Sequence, residues 1–128
     1  MTVLDASAVL ALLQDEPGAD VVEDAIDRGA VVSAVNLAEV VTKMVDAGAA
    51  VDRAADLVLG LFVEVEPYAL QAAVDAARIR SVTTERGLSL GDRACLSLAR
   101  SRELSLITAD RAWSEVAEPL GLTIRTIR

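Results

Sequence analysis

The amino-acid sequence predicts an α/β fold with a largely parallel central sheet, formed as a single domain over residues 1–128. Short runs of β-branched and aliphatic residues alternate along the chain with longer stretches in which apolar residues recur every three or four positions. A length of 128 residues suits one domain. No linker, repeat or low-complexity tract interrupts the sequence, so we expect the chain to fold as one unit.

The first half of the chain is predicted to alternate two strands with four helices. A short apolar run stops at Asp5, which indicates a first strand, and Gly29 ends a helical stretch before a second apolar run. The elements predicted here are strands at residues 2–4 and 30–33 and helices at residues 6–14, 19–28, 34–47 and 51–60.

The second half is predicted to add three strands and two long helices. Residues 62–66 alternate apolar and acidic side chains with period two, which favours a strand. Pro67 suits the first position of the helix that follows, and residues 83–87 form a polar loop. The elements predicted here are strands at residues 62–66, 104–108 and 122–124 and helices from residue 67 to about residue 80 and at residues 92–102.

The composition excludes several classes of enzyme. The chain has no histidine, so it has no Ser-His-Asp or Cys-His site and no histidine base for attack by the 2′-hydroxyl of RNA. One cysteine, Cys95, forms no internal disulfide, and without histidine it argues against a zinc site. If the protein is a hydrolase, we therefore expect carboxylates and a hard ion such as Mg²⁺ or Mn²⁺ to be its tools.

Composition also bears on location and assembly. No apolar run approaches the roughly 20 residues that a membrane helix needs, and the N-terminus lacks the basic start of a signal peptide. With the unpaired Cys95, these features predict a cytoplasmic protein without a membrane partner. Apolar residues make up 53% of the chain, more than one small core readily hides, so we expect a homodimer.

The acidic charge is unevenly distributed. Residues 1–50 carry nine acids and two bases, which accounts for −7 of the net charge of −8. A protein that binds nucleic acid tightly is usually more basic, so tight non-specific binding to nucleic acid is not expected. A protein partner, by contrast, is expected to bring basic residues to this acidic half.

Four carboxylates occupy positions that a parallel sheet would bring to one edge. Asp5 and Asp110 end the first and fourth predicted strands, Glu39 lies on the helix after the second strand, and Asp92 opens the helix before the fourth. Ligands of such folds bind beyond the carboxyl ends of the strands. Clustered carboxylates repel one another unless a cation binds, so this placement predicts a divalent metal that activates water for phosphodiester hydrolysis.

Each acid also has a structural interpretation. Asp5 and Asp110 are both placed to cap helices, the second of them a short one starting at Arg111. Asp92 suits the first turn of its helix, and Glu39 is spaced to pair with Lys43 on a solvated face.

Other functions remain open on the residues alone. A phosphotransfer domain would use an acid after the first strand, but Ser7 stands where an aspartyl phosphatase has its second acid, and a receiver domain needs a late lysine. A non-catalytic binding module with an acidic face is a further alternative, which metal binding would distinguish. A P-loop nucleotide hydrolase is excluded because the sequence has no G-x-x-x-x-G-K-[ST] motif.

Four stretches in this order resemble the acidic motifs of PIN-domain ribonucleases, most closely the VapC-type toxins of bacterial toxin–antitoxin pairs. They cover Val3-Leu4-Asp5-Ala6-Ser7-Ala8, Ser33-Ala34-Val35-Asn36-Leu37-Ala38-Glu39-Val40, Leu88-Ser89-Leu90-Gly91-Asp92-Arg93-Ala94-Cys95-Leu96 and Leu106-Ile107-Thr108-Ala109-Asp110-Arg111-Ala112-Trp113. Each motif is weak alone, but their order and spacing match across essentially the whole chain.

This resemblance implies a three-layer α/β/α fold and an endoribonuclease that depends on Mg²⁺ or Mn²⁺. It implies a catalytic, metal-binding site of Asp5, Glu39, Asp92 and Asp110, with the hydroxyls of Ser7 and Thr108 as supporting groups. It also implies a homodimer that a small antitoxin binds and inhibits in a larger assembly.

Overall fold

The computed structural model describes residues 1–128, in which five strands alternate with eight α-helices. The strands are β1 (Thr2–Leu4), β2 (Ala30–Ser33), β3 (Glu64–Glu66), β4 (Ser105–Thr108) and β5 (Ile124–Thr126). The helices are α1 (Ala6–Leu13), α2 (Ala19–Arg28), α3 (Ala34–Asp46), α4 (Val51–Leu59), α5 (Leu70–Arg78), α6 (Arg80–Thr83), α7 (Leu90–Arg102) and α8 (Ser114–Leu120), with 3₁₀ turns at Thr84–Arg86 and Arg111–Trp113.

All five strands belong to one sheet, in the order β3-β2-β1-β4-β5. Every neighbouring pair is parallel, so the predicted parallel sheet is confirmed. The register pairs Leu4 with Ile107 and Ser33 with Glu66. The carboxyl ends of β1, β2, β3 and β4 therefore lie along one edge, where ligands of open parallel sheets bind.

Helices cover both faces of the sheet, which confirms the three-layer arrangement. Successive side chains of a strand point to opposite faces. Val3 and Leu106 accordingly join a core with α7 and α8, whereas the next residues, Leu4 and Ile107, join a second core with α1 to α4. Both cores are almost entirely aliphatic, apart from the fully buried Trp113 in the first.

The segment around β3 differs from its prediction. Phe62 has a φ of 60° and is 91% exposed, so the strand begins at Glu64 rather than at residue 62. Pro67 does not open the next helix, because Ala69 is still extended and α5 starts at Leu70. The alternation of side chains correctly indicated a strand here. The strand is shorter than predicted because Phe62, in the left-handed conformation, belongs to the preceding turn.

Two further boundaries were placed wrongly. Residues 83–87 are not a plain loop, because α6 ends at Thr83 and a 3₁₀ turn follows. The last strand lies at Ile124–Thr126, because the amide of Leu122 bonds to the carbonyl of Ala117 and closes α8.

No helix in the structure combines the length and the apolar character required to cross a bilayer.

Candidate active site

Asp5 is held at the end of β1 by two hydroxyl groups. Ser7 Oγ and Thr108 Oγ1 both donate hydrogen bonds to Asp5 Oδ2, at 2.7 and 2.9 Å. Each hydroxyl also accepts a backbone N–H, Ser7 from Ala109 at 2.9 Å and Thr108 from Asp110 at 3.1 Å. Because a hydroxyl has only one proton, these backbone contacts orient both protons toward the carboxylate. Ser7 and Thr108, the supporting groups that the resemblance implies, thus hold one oxygen of the Asp5 carboxylate.

The alternative that the Asp5 side chain caps α1 is wrong, since it makes no cap hydrogen bond. Asp5 is only 5% exposed, and this burial raises the pKa of its carboxyl above the ordinary value. The hydrogen bonds from Ser7 and Thr108 lower the pKa in part, while the nearby charge of Asp92 raises it further. A buried carboxylate beside other acids is costly for the fold, which is the pattern expected of a functional group.

Glu39 reaches across from α3 to the start of α7. A Cβ atom added at Gly91 would lie 1.6 Å from Glu39 Oε1, so the carboxylate occupies the space that a larger residue would fill. Nδ2 of the fully buried Asn36 donates to the carbonyl oxygen of Gly91 at 3.0 Å and lies 3.5 Å from Glu39 Oε2. The side chain is therefore placed by Asn36 and Gly91 and is half-buried, and Lys43 acts on it through its charge without forming an ion pair.

Asp92 has a structural role and a place in the acidic cluster. Its backbone N–H donates to Ser89 Oγ at 3.1 Å, and its Oδ2 accepts the backbone N–H of Ser89 at 3.0 Å. This reciprocal pair is a capping box that starts α7 two residues before Asp92. The capping interpretation is thus confirmed, and the cap also fixes the carboxylate near Asp5 and Glu39.

Asp110 stands apart from the other three acids. Its side chain is exposed, and Oδ1 accepts the backbone N–H of Ala112 at 3.0 Å, which caps the 3₁₀ turn. Only its backbone N–H joins the Asp5 network, through Thr108. The structure therefore brings Asp5, Glu39 and Asp92 together and holds the Asp110 carboxylate in a cap beside them.

The pKa values of Asp5 and Glu39 are both raised, and burial is the main cause in each case. Against the hydrogen bond from Asn36 and the charge of Lys43, which lower the pKa of Glu39, the charges of Asp5 and Asp92 raise it. The same charges act on Cys95, one turn after Asp92 in α7. Burial of this thiol, followed by the three acids, holds its pKa well above the ordinary value. Three acids and one lysine thus act on this region, which leaves the cluster with an excess of negative charge.

The carboxylate oxygens of the cluster are the type of ligand that a hard divalent ion prefers. No group of three or more histidine, cysteine or acidic side chains has the geometry of a direct metal cluster. Mg²⁺, however, keeps several of its waters and often needs only one or two carboxylates as direct ligands. Asp5, Glu39 and Asp92 supply such oxygens at one edge of the sheet, with the repulsion that a cation relieves.

Two positioning residues were not identified from the sequence. Neither residue is among the site residues that the sequence predicts. Asn36 is fully buried and links α3 to α7, and the missing side chain of Gly91 makes room for Glu39. Two features of the sequence could have indicated them: Asn36 lies three residues before the acid Glu39, and Gly91 lies in the first turn of a helix.

The comparisons with known proteins agree with this architecture. A model of the PIN domain matches residues 2–119. No curated protein matches the sequence.

Several solved structures share the fold along nearly the whole chain. A chain of DNA-bound VapBC from Salmonella typhimurium has 20% identity and a TM-score of 0.73, over 99% of this chain and 98% of that one. FitAcB from Neisseria gonorrhoeae has 18% identity and a TM-score of 0.67, with coverages of 97% and 96%. VapBC-5 from Mycobacterium tuberculosis, a member of the VapBC family of toxin–antitoxin systems, has 25% identity and a TM-score of 0.58, with coverages of 99% and 97%.

Proposed function

Because the chain belongs to the PIN-domain family, we propose that it is a metal-dependent endoribonuclease and the toxin of a toxin–antitoxin pair. The family is of nuclease type, and the chain shares its fold with structures of VapBC complexes. RNA as the substrate and Mg²⁺ or Mn²⁺ as the cofactor belong to this proposal.

The convergence of three carboxylates that form no ion pair is the observation that carries the proposal. The six ion pairs of the structure all lie elsewhere, and none includes Asp5, Glu39 or Asp92. A fold that only needed these acids for solubility would leave them in water, whereas Asp5 is buried and Glu39 half-buried. Holding them together is unfavourable in the apo-protein and becomes favourable when a cation binds.

In the proposed reaction, the acidic residues of the chain would hold the cation. Ser7 and Thr108 fix one oxygen of Asp5, Asn36 and Gly91 place Glu39, and the capping box places Asp92. Asp110 is proposed to join the site from its cap beside Thr108. A divalent ion, when bound there, lowers the pKa of a water and neutralises charge on the phosphate.

RNA cleavage is expected to require Mg²⁺ or Mn²⁺ and to leave a 5′-phosphate and a 3′-hydroxyl. The chain has no histidine to activate the 2′-hydroxyl, so water has to be the nucleophile. End-labelled RNA incubated with the purified protein, with and without EDTA, tests both points. Products that carry 2′,3′-cyclic phosphate would overturn the proposed chemistry.

The antitoxin is proposed to place a basic segment against the acidic cluster. Opposite charges across an interface are screened by salt, with a Debye length of about 10 Å at 0.1 M and about 3 Å at 1 M. Affinity should therefore fall as salt rises, and Glu39→Gln should lower it more than Glu103→Gln. Glu103 is an exposed acid just before β4, at the opposite edge of the sheet. Equal effects of the two substitutions in calorimetry would contradict this mode of binding.

A homodimer is proposed to form through the segment from the end of α4 to the start of α5. Four of its apolar side chains are exposed, namely Leu59 at 57%, Phe62 at 91%, Leu70 at 81% and Val74 at 38%. Such a concentration of exposed apolar surface usually marks an interface. Light scattering should give twice the chain mass of 13.4 kDa. Leu70→Ser should shift the protein to a monomer. The control Val51→Ser, at an exposed position on α4, should leave the dimer intact. A wild-type protein that is monomeric at micromolar concentration would refute the dimer.

A further inference from the structure

We propose that the cavity at the carboxyl ends of β2 and β3 binds a guanine base of the RNA strand, next to the acidic cluster. This inference rests on the proposed ribonuclease function and names its substrate preference. The cavity has a volume of about 370 Å³, within the range of roughly 300–1,000 Å³ of small-ligand pockets. Its walls come from the ends of the two strands, from α5 and from α7.

The cavity lies one strand away from Asp5. Ser33 and Glu66, which line it, are register partners at the ends of β2 and β3. β2 is also the neighbour of β1, which ends at Asp5. Neighbouring strands are about 4.8 Å apart, so a nucleotide beside the scissile phosphate can reach the cavity. Helix α7, which starts with Asp92 in its first turn, continues directly along the cavity wall.

Several polar side chains of the lining offer hydrogen-bond acceptors to a ligand. The hydroxyl protons of Ser97 and Ser101 are used within α7, on the carbonyl oxygens of Ala94 and Leu98. The amide nitrogen of Gln71 donates to Asp75 Oδ1 at 3.0 Å. What Ser97, Ser101 and the carboxylates of Glu66 and Asp75 present to a ligand is lone pairs, so a ligand rich in donors is the complementary partner.

Glu66 is the carboxylate of the cavity that accepts no hydrogen bond within the protein, unlike Asp75. Its Oε2 forms an ion pair with Arg102 at 3.7 Å, while the same guanidinium donates to Glu64 at 2.9 Å. A carboxylate accepts two parallel hydrogen bonds in a bidentate arrangement. Among the RNA bases, only guanine presents two donors side by side, N1–H and the N2 amino group. Tyr68, half-buried in the same wall, supplies an aromatic surface of the kind on which unstacked bases lie.

The neighbouring surface favours a nucleotide over a cationic side chain of a protein partner. A smaller cavity, lined by Arg78 and Arg100, shares Asp75, Ser97 and Ser101 with the first. Arg78 there pairs with Asp75 at 3.7 Å, whereas Arg100 forms no ion pair and attracts phosphate. Both charges repel an incoming lysine or arginine. The combination of an acceptor-rich cavity with arginines at its side matches a base and its phosphate.

The test compares the bases next to the cut in a pool of random RNA oligonucleotides for the wild type, Glu66→Gln and the control Glu64→Gln. Glu64 lies on the same strand and is also a partner of Arg102, but it does not line the cavity. We expect guanine to be enriched at one fixed position in the wild type and in Glu64→Gln. In Glu66→Gln the side-chain amide has one acceptor and one donor, so it cannot accept both hydrogen bonds of guanine. The guanine preference of this variant should fall about tenfold or more.

An unchanged base preference in Glu66→Gln would overturn the inference. The inference would also be overturned if Glu66→Gln weakened antitoxin binding and had no effect on base preference. If the wild type cuts no RNA with Mg²⁺ or Mn²⁺, the proposed function fails. The guanine specificity of the cavity is then tested separately, by the binding of free nucleosides. Calorimetry should then show guanosine binding more tightly than adenosine and cytidine in the wild type and in Glu64→Gln, but not in Glu66→Gln. Equal binding of the three nucleosides would overturn the guanine site independently of catalysis.

Discussion

An Asp5→Asn variant should lose RNA cleavage by about two to four orders of magnitude, although it remains folded. Asparagine has the shape of aspartate and one acceptor oxygen, which the hydroxyls of Ser7 and Thr108 can share. The substitution removes the charge from the buried centre of the acidic cluster. Loss of activity is therefore expected without loss of the supporting hydrogen bonds.

The same variant should be at least as stable as the wild type in the absence of divalent metal at pH 7. Burial raises the pKa of Asp5 in the folded state above the ordinary 3.8. The folded state thus favours the protonated carboxyl, and this contribution is present at low pH and is lost as pH rises through the folded pKa. Removal of the charge should raise Tm at pH 7, and the difference should shrink below the ordinary pKa.

Thermal unfolding at both pH values, with and without Mg²⁺, measures these effects alongside the cleavage rate. Metal should raise Tm of the wild type by more than it raises Tm of Asp5→Asn, because binding to the folded state alone is stabilising. A variant that cleaves RNA at nearly the wild-type rate would show that Asp5 is a structural residue and that the site is wrong at its first member.

Gly91→Ala is expected to reduce cleavage about a hundredfold, the effect of moving a catalytic group by about 1 Å. The new methyl group would occupy the position of the Glu39 carboxylate, 1.6 Å from Oε1. That carboxylate ends a flexible side chain, so it can swing away without disturbing the backbone. Alanine also favours a helix over glycine by about 0.5–1 kcal/mol, and Tm should be unchanged or raised.

A double-mutant cycle with Glu39→Gln separates this effect from a general disturbance of α7. If Gly91→Ala acts by displacing Glu39, the double variant should cleave no more slowly than Glu39→Gln. If the double variant instead loses cleavage rate by the product of the two single losses, the two effects are independent and Gly91 matters for another reason.

The sequence predicted the edge at which the acids meet, because it placed Asp5 and Asp110 at strand ends and parallel strands end together. It could not predict which side chains stay at that edge. Asp110 turns into a cap for the 3₁₀ turn, a local hydrogen bond that its position after β4 allowed but did not require. Asp92 has both roles, which the local pattern alone could not distinguish.

The positions of Asn36 and Gly91 depend on contacts between α3 and α7, which are far apart in the sequence. Nothing in the local pattern says that an asparagine on one helix will bond to the start of another. The errors around Phe62 and Pro67 have a local cause instead. Strand periodicity and helix-start preferences are average tendencies, and here a left-handed residue and an extended Ala69 overrode them.

The lone thiol of Cys95 can report how often the edge of the sheet that carries the acidic cluster opens. It is fully buried one turn after Asp92, and its raised pKa keeps it protonated and unreactive while α7 is in place. A thiol reagent can modify it only when the fold around α7 opens, so the labelling rate measures the frequency of that opening. Comparing labelling rates in Mg²⁺, in EDTA and with RNA would follow the rigidity of the site without any added probe.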